Sequence, residues 1–336
     1  MGNNMTNKRI DELDYIRGFA LLGIILVNIL ALLNIKIPDP NTVDASYQRF
    51  LYLFVEGRFF SIFSFLFGVG FYIFISRAIA KGKNGYVLFL RRLVALFIFG
   101  LIHQMFQPGE ALTLYAICGL IALPFYKVKK QVNLVIGLIL TIAFSVMGAK
   151  ELLPLGLILL GLAAGQYRAF ENLAQNIKKV AIFTGIMFVL SVVAVWYQYG
   201  HVPADPFVNM ILMNEDGTMD AASQFLKIGV TVGPIISAFY VGALILLLQL
   251  KLVQTLLAPL KYYGRMALTN YIGQTAMILI AGSVCNLTYV QTLYVCIAIY
   301  AIQIVFSVIW MKIFKMGPLE WIWRVITYWT VTPLKK

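Results

Sequence analysis

Residues 58–106 read RFFSIFSFLFGVGFYIFISRAIAKGKNGYVLFLRRLVALFIFGLIHQMF. Two runs rich in Phe, Leu and Ile flank a short basic gap marked by Arg77, Lys81, Lys83, Arg91 and Arg92. Each run has about the 20 apolar residues that a helix needs to cross a bilayer core. Neither alternates with period two, so helices are expected and a barrel is not. Working outward, ten such segments can be marked: 13–35, 58–78, 87–106, 111–126, 133–149, 152–167, 180–199, 226–250, 266–286 and 289–313. The basic residues fall on alternate gaps: the group above, then Lys127/Lys129/Lys130, Arg168/Lys178/Lys179 and Lys251/Lys261/Arg265, with Lys315, Arg324, Lys335 and Lys336 in the tail. The other gaps are poor in Lys and Arg. Cytoplasmic loops retain positive charge, so both termini are expected inside.

The chain of 336 residues is 61% hydrophobic and 12% charged, which leaves no room for a soluble domain. The net charge of +13 is therefore a topology signal. Nucleic-acid binding would need a basic stripe on a soluble domain, and there is none. The expected architecture is all-α: one polytopic transmembrane helical domain over residues 1–336, with about ten spans (nine to eleven), in a cell membrane. Segments 111–126 and 152–167 are short and expected to be tilted or broken. The first run is long, carries Arg17 and is expected to stay as a span, not to be cleaved as a signal. Cys118, Cys285 and Cys296 fall in predicted helices without metal-ligand spacing, so neither a metal nor a disulfide is expected. Residues 200–225 form a long extracytoplasmic loop with Asp205, Glu215, Asp216 and Asp220. It reads as solvated, or as a lid in which the Phe207–Met213 stretch packs back on the bundle. Tyr47, Phe50, Leu51 and Phe54 have the spacing of an interfacial helix. Residues 314–336 read as a cytoplasmic interfacial tail.

Charged and strongly polar groups within apolar segments are costly and mark candidate sites. Arg17 shares a helix face with Asp14 and can pair with it, as a snorkelling cation or as a phosphate-binding fork at an inner mouth. Asn28 follows about three turns later on the same side. Glu56 and Arg58 open the second span as a local ion pair. His103 and Glu110, joined by a tight PGE turn, form either a structural staple or a base oriented by a carboxylate. Arg265, Thr269, Asn270 and Gln274 open the ninth span, Thr269 fitting an inter-helix network and Asn270 a wet cavity. Glu320 and Arg324 are four apart and can pair on the tail helix. With Arg17 and Arg265, Arg324 would make a basic vestibule, whose simpler reading is attraction to anionic membrane lipids. Gly68/Gly70 and Gly161/Gly165 offer small-residue faces that permit a homodimer.

Four stretches taken together, LDYIRGFALLGIILVNI, EGRFFSIFSFLFGVGF with the following RR and GLIHQMF…GE…LYA, GRMALTNYIGQ, and GPLEWIWR…TYW, resemble the YeiB-like membrane proteins of the domain-of-unknown-function 418 family. The resemblance covers residues 10–330. That family is grouped with transmembrane acyltransferases, among them the lysosomal heparan-α-glucosaminide N-acetyltransferase and, more distantly, the acyltransferase-3 proteins. The resemblance implies a bundle of ten or eleven helices that takes an acyl group from cytosolic acyl-CoA or acetyl-CoA. It also implies an acceptor hydroxyl or amine, on a small molecule or glycan, at the far side. Acyltransferase-3 members carry Arg, ten residues, then His on their first motif helix. Here that interval holds Arg17 and Asn28, which leaves His103 for the imidazole's work.

The expected function is thus a membrane acyltransferase. Arg17, Arg265, Asn270 and Arg324 would hold the cofactor. His103 with Glu110 would act as base, and Asn28 or Arg58 would stabilise the oxyanion. Glu56, Gln274 and Glu320 complete the polar set. The alternative is a multi-pass small-molecule or lipid transporter in which the same groups line a path.

Overall fold

The computed structural model describes residues 9–171, 173–212 and 218–336. Met213, Glu215 and Asp216 of the predicted loop lie outside the described residues. Those residues form α1 (Asp11–Leu32), α2 (Val43–Phe54), α3 (Arg58–Ala80), α4 (Gly85–Gln104), α5 (Leu112–Ala122), α6 (Lys130–Met147), α7 (Leu153–Gln166), α8 (Ile177–Tyr199), α9 (Ala221–Leu247), α10 (Lys251–Leu256), α11 (Ala258–Arg265), α12 (Ala267–Val284), α13 (Tyr289–Ile313) and α14 (Pro318–Tyr328). A 3₁₀ turn, Leu123–Lys127, extends α5. Among the described residues there is no sheet, only an isolated antiparallel bridge between Phe314 and Lys335.

All ten marked segments are helical, because a backbone surrounded by apolar side chains must satisfy its own hydrogen bonds. Seven helical stretches are long and apolar enough to cross a membrane: α1, α2 joined to α3, α4, α6, α8, α9 and α13. The extended α5 and α7 are shorter, as their sequences suggest. Side chains close several helix starts: Thr42, Asn84 and Asp220 accept from the amides of Ala45, Val87 and Ser223, which satisfies amides that the helix itself leaves unpaired.

The apolar window of α1 is 61% buried and that of α8 only 17%, so α1 is the core helix and α8 lies at the periphery. Helix α1 packs on α3, α11, α12 and α13. The tightest crossing joins α3 to α7. A side chain at Gly68 would strike the Ile158 carbonyl, and one at Gly161 would strike the Phe65 carbonyl. Gly165 seats the Tyr72 ring, and Gly70 lies beside Arg17. Gly68, Gly161 and Gly165, on faces that would permit a homodimer, thus lie at the α3–α7 crossing, where they let two backbones approach.

After α8 the chain folds back on the bundle, most deeply at Phe207. Phe207 is buried between the rings of Tyr52 and Phe225, at 5.0 and 5.4 Å, and its main chain exchanges two hydrogen bonds with the Gln48 amide. Val208, Met210 and Leu212 then return to the surface. Cys118 and Cys296 are buried free thiols, whereas Cys285 sits exposed just beyond α12.

One end of the bundle gathers the start of α1 and the C-terminal segment. Lys261 pairs with Asp11 at 3.2 Å, Arg265 donates to the Lys315 carbonyl, and the Trp323 indole donates to the Arg92 carbonyl at 2.9 Å. We call this the basic end.

Candidate functional site

At the basic end Asp14 is almost fully buried and accepts from both Arg9 and Arg17, the latter at 2.9 Å. The expected Asp14–Arg17 pair is thus present, with Arg9 as a second partner. Arg92 of α4 stacks its guanidinium 3.5 Å from the centre of the Trp323 ring and 5.1 Å from that of Phe74. Arg17, Arg324 and Glu320 lie within electrostatic reach of it. Arg265 faces Arg9, Asp11 and Asp14, and burial, reinforced by Arg9, lowers its pKa. Its Nε has no partner. Arg17, Arg92, Arg265 and Arg324, from four different helices, therefore all stand at the basic end. In the sequence Arg92 served as a topology signal and as part of the RR in the family resemblance, not as a candidate site residue.

Glu320 does not pair with Arg324. Its carboxylate accepts from the amides of Leu268 (2.7 Å) and Thr269 (3.1 Å) and from the Thr269 hydroxyl (2.6 Å). Free amides at a helix start attract an anion more strongly than an exposed guanidinium one turn away does. Burial raises the Glu320 pKa, and these hydrogen bonds oppose the rise. Arg324 instead rests over the Tyr328 ring.

Asn270 does not line a cavity. It is buried, and its amide donates to the Tyr263 carbonyl and to Ser307. Gln274 donates to the Tyr263 hydroxyl at 2.6 Å and to the Leu21 carbonyl, and Tyr263 in turn donates to Gln303. This satisfied network joins α1, α11, α12 and α13, and it needs no ligand.

Nor do Glu56 and Arg58 form an ion pair through their side chains. The Glu56 carboxylate meets Lys150 and raises its pKa. Arg58, only 1% exposed, donates to the carbonyls of Leu53 (3.0 Å), Glu56 (2.5 Å) and Gly229 (3.2 Å) and to Gln198 (2.6 Å). A planar fork with five donors can serve four acceptors where the chain breaks between α2 and α3. Its place is that of a staple among α2, α3, α8 and α9, so the oxyanion role expected for it has no free donor face beyond Nε.

The His103–Glu110 pair forms as its spacing predicts, and both residues are sealed from solvent at 3% and 1% exposure. The Glu110 carboxylate bonds the imidazole Nδ1 and accepts from the Leu112 amide. The other ring nitrogen is not free. Nε2 lies 2.8 Å from the hydroxyl of Thr275, the ninth of the eighteen residues of α12, and the Tyr271 ring stands edge-on at 5.1 Å. Hence the last turn of α4 ends against the middle of α12. One turn beyond His103, the Gln107 amide is buried and its oxygen has no partner. The second histidine, His201, rests on the Tyr197 carbonyl outside this group. The Asn28 side chain is half-buried and has no hydrogen-bond partner among the described residues. It lies seven residues along α1 from the Leu21 carbonyl that holds Gln274, about 10 Å at 1.5 Å per residue.

A visible signal went unused. Arg92 and His103 are separated by ten residues, the same interval as Arg17 and Asn28. At 100° per residue, eleven steps return to within about 20° of the starting face and climb about 16 Å. Thus α4 carries a cation at the basic end and the imidazole on one face, three turns apart.

Residues 164–330 match the model of a protein family of unknown function, DUF418, and residues 9–174 match that of the heparan-alpha-glucosaminide N-acetyltransferase catalytic region. A 39.9 kDa protein from the amylase 3' region of Bacillus acidopullulyticus is 60% identical over 327 residues, covering 96% of this chain and 94% of its own. YxaH of Bacillus subtilis is 28% identical over 99% of this chain and 97% of its own. YeiB of Escherichia coli is 26% identical over 94% of this chain and 95% of its own. The chain belongs to the YeiB-like DUF418 family. It is an all-helical membrane protein of that family. In this DUF418 protein, His103 and Glu110 fall in the segment matching the acetyltransferase model and Thr275 in the segment matching DUF418. No group of three or more metal-ligating side chains occurs among the described residues.

Proposed function

We propose that this DUF418 protein is a membrane acyltransferase. It takes an acyl group from cytosolic acyl-CoA or acetyl-CoA at the basic end and delivers it to an acceptor hydroxyl or amine entering from the other side of a bacterial plasma membrane. The observation that carries this reading is the imidazole held between Glu110 and Thr275, three turns along one face of α4 from Arg92. It lies within the segment that resembles an acetyltransferase catalytic region.

The chemistry follows from the groups. Arg17, Arg92 and Arg265 present planar donor forks suited to phosphate oxygens. A thioester arm anchored there would extend about 16 Å along α4 to reach His103. Glu110, as an acceptor-only carboxylate, accepts a hydrogen bond from the imidazole Nδ1–H, which keeps that proton on Nδ1 and leaves the Nε2 lone pair as the base. Asn28, whose amide has no protein partner, is the donor we assign to the thioester carbonyl oxygen as it gains charge. Orientation of the basic end toward the cytoplasm rests on charge retention.

The test uses the full chain in liposomes. Acetyl-CoA is expected to raise thermal stability and, with a panel of amine and hydroxyl acceptors, to yield acylated product that His103→Ala abolishes. Absence of acetyl-CoA binding together with acceptor uptake that needs no acyl donor would overturn the proposal in favour of transport.

A further inference from the structure

Several helical hydroxyls of this protein donate to their own backbone one turn earlier. Ser61, Ser64, Thr184, Thr231, Thr255 and Thr327 all do so. This is the usual fate of Ser or Thr inside a helix. Thr275 does not: among the described residues its hydroxyl bonds only to His103 Nε2, at 2.8 Å. The direction of that bond is set from the far side. The Glu110 carboxylate can only accept, and it takes both the Leu112 amide and the imidazole Nδ1–H. Nε2 is then an acceptor, and the Thr275 proton points at it. Hydroxyl, imidazole and carboxylate stand in line, all buried, with the base oriented by a third group. That constellation marks an activated nucleophile and is recognised by geometry, not by chain order.

We propose that Thr275 is the nucleophile of a two-step acyl transfer and carries the acyl group as an ester between donor and acceptor. This rests on the acyltransferase function proposed above. In the first step Thr275 Oγ1 attacks the thioester carbonyl carbon while its proton passes to His103 Nε2. The carbon–sulfur bond breaks, and coenzyme A leaves as the thiol with that proton. In the second step the acceptor O–H or N–H gives its proton to Nε2 and attacks the ester carbonyl. The Oγ1–carbon bond breaks, and Thr275 regains the proton. Gln107, buried one turn after His103 with its amide oxygen unpartnered among the described residues, is the acceptor-positioning residue: its oxygen receives a hydrogen bond from a second N–H or a neighbouring hydroxyl of the acceptor, while the reacting proton goes to Nε2. Thr275 is 5% exposed, and exclusion of water lets an ester persist until the acceptor arrives.

The intermediate predicts a mass change that a merely structural threonine would not give. The full-length protein, incubated with acetyl-CoA and in parallel with hexanoyl-CoA and palmitoyl-CoA but no acceptor, is expected to gain one acyl group per chain. After proteolysis the label should map to the peptide containing Thr275. Thr275→Val should lose the label and at least 100-fold of the transfer rate, while its melting temperature falls by only the few degrees expected for the lost hydrogen bond to His103. Thr275→Ser, which keeps a hydroxyl, should recover the label that Thr275→Val loses. Acyl transfer by Thr275→Val at a rate near that of the parent chain, or a label on another residue, would overturn the covalent route and leave direct transfer standing. Failure of any acyl-CoA to bind would overturn the acyltransferase function itself.

Discussion

Replacing Glu110 by Gln separates a structural His–Glu staple from a catalytic one. In the parent chain the carboxylate takes two hydrogen bonds, from the imidazole Nδ1–H and the Leu112 amide. Bonds to a charged acceptor contribute about 1.5–3 kcal/mol each and neutral ones about 0.5–1.5. A Gln can keep the Leu112 amide on its oxygen and turn its NH2 toward Nδ1, and the imidazole answers by moving its proton to Nε2. Both contacts survive as neutral bonds, so the loss is about 2 kcal/mol, offset in part by no longer burying a charge. At about 2–4 °C per kcal/mol, melting should fall by only a few degrees. Glu110→Ala leaves both donors unpaired in a sealed site and should cost about 2–6 kcal/mol. Catalysis responds differently. With the proton on Nε2 the imidazole donates to Thr275 and has no lone pair there, so Glu110→Gln should lose the 10²- to 10⁴-fold that a general base typically supplies. Thermal melts, acyl-transfer rates and ¹⁵N shifts of the labelled imidazole read the three effects. Turnover of Glu110→Gln within tenfold of the parent, with the tautomer visibly reversed, would refute the reasoning.

Gly161→Ala should lower stability by about 1–3 kcal/mol, because its new methyl meets main-chain atoms that cannot rotate away. The pair Gly68→Ala/Gly161→Ala should cost less than the sum in thermal melts, since one separation of α3 from α7 relieves both. Burial raises the Glu320 pKa above its unfolded value, so the folded state holds the proton longer. Stability should then fall as pH rises from about 4.3 through the folded pKa, and Glu320→Gln should flatten that slope in melts taken across the window. Arg92→Gln should weaken acetyl-CoA binding by about tenfold or more in calorimetry, the worth of one charge-assisted bond.

The helices were legible because a lipid-facing backbone admits few alternatives to long apolar runs, and the runs at 58–78 and 87–106 became α3 and α4. The His103–Glu110 pair was legible because its turn is local. Arg58 was not: three of its four acceptors are main-chain carbonyls and the fourth, Gln198, lies 140 positions away. Composition says nothing about which carbonyls a chain break leaves open. Glu320 and Asn270 were misread for a related reason. Spacing of four suggests a helical ion pair, yet unpaired amides at the start of α12 compete better, and an amide in a polar run finds Ser307 and Tyr263 before it finds water. Thr275 gave no sign, being a common residue in an ordinary helix whose partner sits 172 positions earlier.

Because the imidazole arrives from α4 and its hydroxyl from α12, the atoms proposed to react are supplied by opposite halves of the gene. Splitting the reading frame near position 174 would produce two fragments, each resembling a family on its own and each inert. Only their reassociation in one bilayer would rebuild the junction, so complementation between coexpressed fragments becomes a direct gauge of whether that junction is what the two segments were joined to make.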